Sequence, residues 1–504
     1  MNRRTFVAAM AAPAAAFQAR SANRPNVLVL MSDQHSSHVL GCRGDKVART
    51  PNLDGLAASG VLFENAYCQS PLCVPARASF LTGRQPHETR VWTNGDALPS
   101  DTPTFAHSLG AAGYDTALIG RMHFNGVDQW HGFAKRLVGS LSPMYPHLEY
   151  PLPPNLLEGA KGSSRDAIRV AGPGRTAYQV YDEQVTQATV EYLNQRGKDA
   201  RKPFCAVAGF VLPHSPYICA KQDWDYYYDR VTVPQPPPRE VEGLHPAIRA
   251  WRRNRGVEDL TIEEIRRART GYYGLVTEFD RHVGSILDAL KKSGLSENTV
   301  VVYTTDHGEM AGEHGMWWKS NFYEGAVSTP LIMAWPGNMP AGRRIPEIVS
   351  HVDIGPTLAA LAGAEPLPSA SGRSMAPLLS GSTQDWPNEA FSEYAPQLGV
   401  PATRMIRSGP WKLVHFDGMR PQMFNLEDDP GELRDLGESP AHAEVRRRLL
   451  ARVLHGWPAD EMKRELSRRA REQRLIRLWS QQVKPEAPQQ WIAPEGSNVF
   501  TQPW

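Results

Sequence analysis

Cys73, Pro75 and Arg77 fall within the stretch SPLCVPARASFLTGR, Ser70 to Arg84, where a helix begins. Pro75 suits a first helical turn, because the N–H it lacks has no intrahelical partner there. Ala76 to Leu81 reads as helix and Gly83 as its end. Cys73 then sits at the positive end of a short helix, with Arg77 one turn further on. A buried structural cysteine needs no such surroundings; a group that must stabilise an anion does.

Other residues offer complementary chemistry. Asp33, Gln34, Asp306 and His307 carry carboxylate, amide and imidazole groups; a hard divalent cation favours the oxygen donors among them. An aspartate at a strand end also serves as a helix cap, so either acid alone says little; two such acids and the cysteine motif together argue for one shared ion. Arg77, Arg121 and Lys319 supply cations, Lys319 directly after Trp317 and Trp318. His123 and His214 can move protons. Pro213 and Pro216 restrict the backbone around His214.

Four apolar runs must position these groups. Asn26–Met31 (NVLVLM) leads into Asp33 and Gln34, and Thr116–Gly120 (TALIG) into Arg121 and His123. Phe204–Leu212 leads into His214, and Val300–Tyr303 into Asp306 and His307. Short, continuous runs of this kind predict strands buried on both faces of a parallel sheet. In open α/β sheets, ligands bind beyond the carboxyl ends of such strands. Helical spacing covers Thr176–Asn194, Ile262–Leu290 and Glu444–Leu454, with a basic helix over Arg464–Leu478. Pro236–Pro238 and Pro366–Ser371 read as connectors. After about Asp385, AFSEYA, TRMIRSG, PWKLVHF and QMFNL predict a small antiparallel sheet. The expected fold is α/β: a large, mixed but mostly parallel sheet flanked by helices, then the smaller sheet.

Composition narrows the function classes. The 504 residues allow two or three domains at roughly 150 residues each. With 55 Lys+Arg against 53 Asp+Glu, no global basic field points to nucleic acid. No apolar stretch reads as a membrane span. Five cysteines, Cys42, Cys68, Cys73, Cys205 and Cys219, are too few and scattered for a disulfide scaffold. The first 22 residues, with Arg3 and Arg4 before a short apolar run, look like a twin-arginine export signal, which predicts a periplasmic protein.

CVPAR followed by ASFLTGR resembles the signature of type I sulfatases, in the alkaline phosphatase superfamily. RPNVLVLMSDQH, TPNLDGLAASGVLFENAYC, GYDTALIGRMHF, TTDHGEMAGEHGMWWK and GPWKLV…FNLEDDPGELRDL resemble further blocks in the family's order. The resemblance implies an alkaline phosphatase-like fold, with a catalytic domain over 24–384, a small-sheet subdomain over 385–460, and a basic helix and Pro/Gln-rich tail over 461–504. It implies that a formylglycine-generating enzyme oxidises Cys73 to formylglycine, with Pro75 and Arg77 completing the recognition sequence. Asp33, Gln34, Asp306, His307 and the oxidised Cys73 would hold one Ca²⁺. Arg77, Arg121 and Lys319 would neutralise sulfate, His214 or Lys319 would protonate the leaving alcohol, and His123 would take the proton that expels sulfate.

Arg121 stands where the family usually has lysine, and Gln34 and His307 where many members have Asp and Asn. The segment Gly120–Leu137 is especially similar to choline sulfatases, and Asn94 matches a substrate-binding asparagine of that family. The stretch that should cage a quaternary ammonium, Leu141–Pro154, holds Tyr145 and Tyr150 but no tryptophan. A sulfated sugar or another small alkyl or aryl sulfate fits as well, with Trp92, Trp317 and Trp318 as possible stacking surfaces. The alternative activity is a phosphonate or phosphate ester hydrolase using the same formylglycine; those enzymes lack the cation–x–His of Arg121-Met122-His123. A sulfated-glycan binder without turnover is a third reading. The basic helix and tail suggest packing on a neighbouring subunit or over the chain's own site.

Overall fold

The computed structural model describes residues 24–141, 144–145, 148, 162–199, 202–234, 244–485 and 490–500. The export signal, the Pro236–Pro238 connector and Tyr150 lie outside the described residues.

The strands, in chain order, are β1 (Asn26–Ser32), β2 (Val61–Tyr67), β3 (Asp115–Gly120), β4 (Lys135–Leu137), β5 (Gly172–Arg175), β6 (Phe204–Gly209), β7 (Ile218–Cys219) and β8 (Thr299–Thr305). They continue with β9 (Leu331–Ala334), β10 (Arg343–Ser350), β11 (Glu389–Tyr394), β12 (Thr403–Ser408), β13 (Trp411–Phe416), β14 (Gln422–Asn425) and β15 (Val499–Phe500). An eight-stranded sheet runs in the order β10-β2-β9-β8-β1-β6-β3-β4. Only β9 runs against its neighbours. The four strands expected from the apolar runs are consecutive at its centre, as β8, β1, β6 and β3, and all are parallel.

Their continuous hydrophobicity has a direct cause. Val27, Val29 and Met31 point into one layer with Phe80, Leu81, Phe105, Ile354 and Leu358. Leu28 and Leu30 point into the other, with Tyr181, Val185, Leu275, Phe279 and Val283. Helices Cys73–Thr82 and His351–Ala362 cover the first face; Ala177–Lys198 and Ile262–Lys292 cover the second. Each large side chain buried this way contributes about 1.5–3 kcal/mol.

β11–β14 form the predicted antiparallel meander. One face, including Met405, Val414 and Phe424, joins the main body. The other, with Ile406, Leu413 and Met423, is covered by Leu449 and Val453 of helix Ala443–Leu454. The basic C-terminal helix spans Ala459–Val483, longer at both ends than the predicted Arg464–Leu478. Asp460 and Glu461 in its first turn favour the earlier start. Beyond it, residues 490–500 return to their own chain: the Trp491 ring meets Tyr181 edge-on, and β15 pairs with β5. None of the described helices is long and apolar enough to cross a membrane.

Candidate active site

Ser32 pairs with Thr305 in the β1–β8 register, so Asp33 and Asp306 leave the sheet side by side. Cys73 is the first residue of helix Cys73–Thr82, Pro75 lies in its first turn, and Gly83 closes it at φ 69°. The Cys73 sulfur lies 3.2 Å from His307 Nε2, 3.0 Å from Lys319 Nζ and 3.9 Å from Asp33 Oδ1. Arg77, one turn on, spans both acids: its Nε donates to Asp306 Oδ2 at 2.9 Å and its Nη2 to Asp33 Oδ2 at 3.0 Å. Arg121 adds a second cation on Asp33 Oδ2 at 2.9 Å.

These pairings decide the charge states. Burial alone would raise the Asp33 carboxyl, but Arg121 and Arg77 outweigh it and hold it well below its usual range. Asp306 is lowered in the same way, burial opposing and Arg77 prevailing. Burial, then the Asp33 carboxylate, pushes the Cys73 thiol up to about 11, so the unmodified side chain is a poor thiolate.

The donor set suits one divalent cation. One ligand atom each of Asp33, Cys73, Asp306 and His307 lies within 4.8 Å of the others, and all four residues are buried. Each aspartate spends Oδ2 on an arginine, while Oδ1 lies on the cluster side, 4.0 Å and 3.6 Å from His307 Nε2. His307 Nδ1 sits 3.0 Å from the Gly308 carbonyl, which can only accept, so the ring proton is on Nδ1 and the Nε2 lone pair faces the cluster. Burial lowers this imidazole to about 4 and keeps it neutral, as a ligand must be.

Gln34, the other expected ligand, is held beside these residues at a backbone cost. Its φ is 69°, a left-handed conformation uncommon for a residue with a side chain. It is held by its N–H on Asp306 Oδ1 at 3.1 Å and by the Tyr272 hydroxyl, which donates to its carbonyl at 2.8 Å. Lys319 Nζ donates to its side-chain oxygen at 2.8 Å.

The histidines lie at the rim of the same cluster. His123 Nδ1 accepts from Arg121 Nη2 at 2.9 Å, because a guanidinium can only donate. Burial, then Arg121, lowers its pKa far below the ordinary value and keeps it neutral. His214 donates from Nδ1 to the Ser215 carbonyl at 2.7 Å, leaving the Nε2 lone pair available. Burial, then Lys319, lowers it to about 3. Asn94, expected to touch substrate, takes the Val74 N–H at 3.0 Å through its side-chain oxygen and so sits at the start of the Cys73 helix.

Residues 25–364 match the family model described as Sulfatase. The chain belongs to the sulfatase family. Residues 312–456 match the model of the C-terminal region of N-sulphoglucosamine sulphohydrolase, which takes in β11–β14. The chain is 34% identical to a choline-sulfatase of Rhizobium meliloti over 433 residues, covering 83% of each protein. It is 30% identical to arylsulfatase K of Danio rerio, covering 82% of this chain and 81% of that protein. The crystal structure of a phosphonate monoester hydrolase of Agrobacterium radiobacter superposes with a TM-score of 0.71 at 26% identity, covering 86% of this chain and 95% of that one. This sulfatase is a sulfuric ester hydrolase with the alkaline phosphatase-like fold.

One expectation about this sulfatase needs revision. Trp317 and Trp318 are fully buried, packed against Tyr217 and Trp251, and Trp92 is 3% exposed beneath Arg469. None offers a face on which a sugar could stack. Sequence reasoning also passed over two residues at the cluster. Tyr178 sets its ring edge-on to His214, with centroids 6.3 Å apart. Glu309, inside the quoted TTDHGEM block, takes the Gln34 Nε2 at 2.6 Å. Its place directly after Asp306-His307-Gly308 was the available signal.

Proposed function

We propose that this sulfatase hydrolyses the sulfate ester of a small organic alcohol through formylglycine made from Cys73, with a calcium ion beside it. The observation that carries this reading is the convergence of Lys319, His307 and Asp33 on one cysteine at a helix N-terminus, with Arg77 holding Asp33. Formylglycine at position 73 would supply, once hydrated, two hydroxyls on one carbon: a nucleophile toward sulfur, and a second whose deprotonation would break the carbon–oxygen bond to the sulfate and restore the aldehyde. Asp33, Gln34, Asp306, His307 and the formylglycine oxygen would hold calcium, whose charge would acidify the nucleophile and orient the ester.

The chain's own groups do the rest. Arg77, Arg121 and Lys319 surround the place of the sulfate oxygens, where fixed cations stabilise growing charge without reorganising. Lys319 Nζ delivers a proton to the departing alcohol; His214, neutral with its proton on Nδ1, accepts a hydrogen bond at Nε2 and takes that role only after Nε2 has gained a proton. His123 has its Nδ1 lone pair occupied by Arg121. A sulfate that draws Arg121 toward itself releases that lone pair to accept the proton from the second hydroxyl. Lys319, Arg121 and His214 are 4%, 6% and 8% exposed, which favours a small ester entering a recess. Similarity to a choline-sulfatase makes choline sulfate the first substrate to test.

The test combines tryptic mass spectrometry of the Cys73 peptide, after co-expression with a formylglycine-generating enzyme, with turnover of choline sulfate, an aryl sulfate and a phosphodiester. Aldehyde mass at position 73 and dominant sulfate release are expected. Intact cysteine with full turnover overturns the nucleophile; a dominant phosphodiester rate overturns the substrate class. We also propose periplasmic export after folding, so that Cys73 is oxidised in the cytoplasm; an Arg3→Lys/Arg4→Lys variant that still reaches the periplasm refutes that route.

A further inference from the structure

An amide ligand carries an ambiguity that a carboxylate does not. Only the oxygen of Gln34 can bind a cation, yet the side chain can turn either end inward. In this structure two neighbours of opposite character settle the matter. Lys319 Nζ, which can only donate, lies 2.8 Å from Gln34 Oε1. Glu309 Oε2 lies 2.6 Å from Gln34 Nε2.

Glu309 is itself closely specified. It is 1% exposed. Its Oε1 accepts from the backbone N–H of Ala311 at 2.8 Å and of Trp318 at 2.5 Å. Its Oε2 accepts from Gln34 and from the Tyr217 hydroxyl at 2.8 Å. The three N–H groups can only donate, and with the hydroxyl they occupy all four lone-pair directions of a carboxylate. Three of the four contacts thus call for the ionised carboxylate, against burial, which raises its pKa. The negative charge that an aspartate would place among the ligands stands here one hydrogen bond further out.

We infer that Glu309 is a positioning residue for cation binding: its carboxylate turns the Gln34 amide oxygen into the cluster and supplies, from behind, the charge that this neutral ligand lacks. The inference rests on the cation reading given under the proposed function. It predicts that Glu309→Gln reverses the polarity at this contact. The new amide keeps Oε1 toward Ala311 and Trp318, presents NH₂ to Gln34, and draws the Gln34 oxygen away from Lys319 and the cluster.

Calcium titration of the full-length protein by calorimetry reads this directly, with the calcium-free melting temperature recorded beside it. Glu309→Gln is expected to weaken calcium binding by about 10–100-fold, as loss of an orienting partner does. The exchange variant Gln34→Glu/Glu309→Gln restores both the donor–acceptor polarity and the net charge, and is expected to bind calcium within about tenfold of the parent. Calcium affinity in Glu309→Gln within about threefold of the parent overturns the inference. So does an exchange variant that binds no better than Glu309→Gln, since Glu309 then serves packing alone. Should Glu309→Gln fail to fold, the exchange variant decides: soluble and calcium-binding supports the inference, insoluble or calcium-blind overturns it. A parent protein that takes up no calcium overturns the cation reading itself, a result distinct from parental binding that the variant leaves untouched.

Discussion

Two buried ionic clusters in this molecule use the same side-chain types to opposite ends. In the first, Arg77, Arg121 and Lys319 face Asp33 and Asp306 with Glu309 set back behind Gln34, so cations outnumber the acids in direct contact and the surplus, Lys319, touches the Cys73 sulfur. In the second, Lys412 lies between Glu324 Oε1 at 2.9 Å and Glu432 Oε1 at 2.5 Å. Arg407 donates to the Tyr67 hydroxyl at 3.0 Å, and that hydroxyl donates to Glu324 at 3.0 Å. Two cations there meet two carboxylates. The second cluster ties the four-stranded sheet to the end of β2, and Lys412 is fully buried. The first keeps Lys319, Arg121 and His214 slightly exposed. A closed, balanced cluster specifies how two sheets dock; an unbalanced one with an opening attracts an anion. Burying unpaired charge is costly, so a positive surplus persists where an anionic substrate supplies the missing partner.

The largest expected effect lies in the first cluster. Cys73→Ser should cut sulfate release by about 10³-fold or more while leaving the melting temperature unchanged. A simultaneous loss of stability would show that the cysteine also serves the fold. The contrasting variant is Lys412→Met, which strands two buried carboxylates. It should lower unfolding stability by about 3–5 kcal/mol in a denaturant titration. Turnover per folded molecule should not change, and a fall in it would mean that the two clusters are coupled. Next, Lys319→Ala should reduce kcat by about 10²–10³-fold, as removal of one donor to a developing anion does. An effect confined to KM would limit Lys319 to ground-state binding.

The smallest effect separates the clusters by pH. Burial, then the Glu324 carboxylate, raises the Glu432 carboxyl from its ordinary value of 4.5 to about 7. A raised acid favours the folded state when protonated. Its stabilisation is complete below 4.5 and is lost as pH rises through about 7. The melting temperature should therefore fall between pH 5 and pH 8, and Glu432→Gln should flatten that slope. A slope unchanged in the variant assigns the titration to another group.

Much of the main sheet was legible because its central strands are apolar on both sides and each ends abruptly in polar residues. β2, β9 and β10 were not legible. β9 is only Leu331–Ala334, between Pro330 and Pro336, and β2 contains Glu64 and Asn65. Short or polar segments become strands because neighbours supply their hydrogen bonds, which local pattern cannot reveal. Trp317 and Trp318 looked available because an aromatic side chain reads alike in a core and in a binding surface. Glu309 could be noticed by its place after Asp306-His307-Gly308, but its pairing with Gln34 was not legible, since the two stand 275 positions apart.

By itself the sequence determined the features that depend on near neighbours along the chain. These are the helix that begins at Cys73 and ends at Gly83, the buried central strands, and the motif that identifies the family. Tertiary structure alone decided strand order, and with it the placing of Asp33 beside Asp306. It also decided which oxygen each arginine occupies, which end of the Gln34 amide turns inward, and which ionic cluster keeps a surplus of positive charge. Those outcomes are set by hydrogen bonds and charges between residues far apart in sequence, and only the folded chain brings them within range.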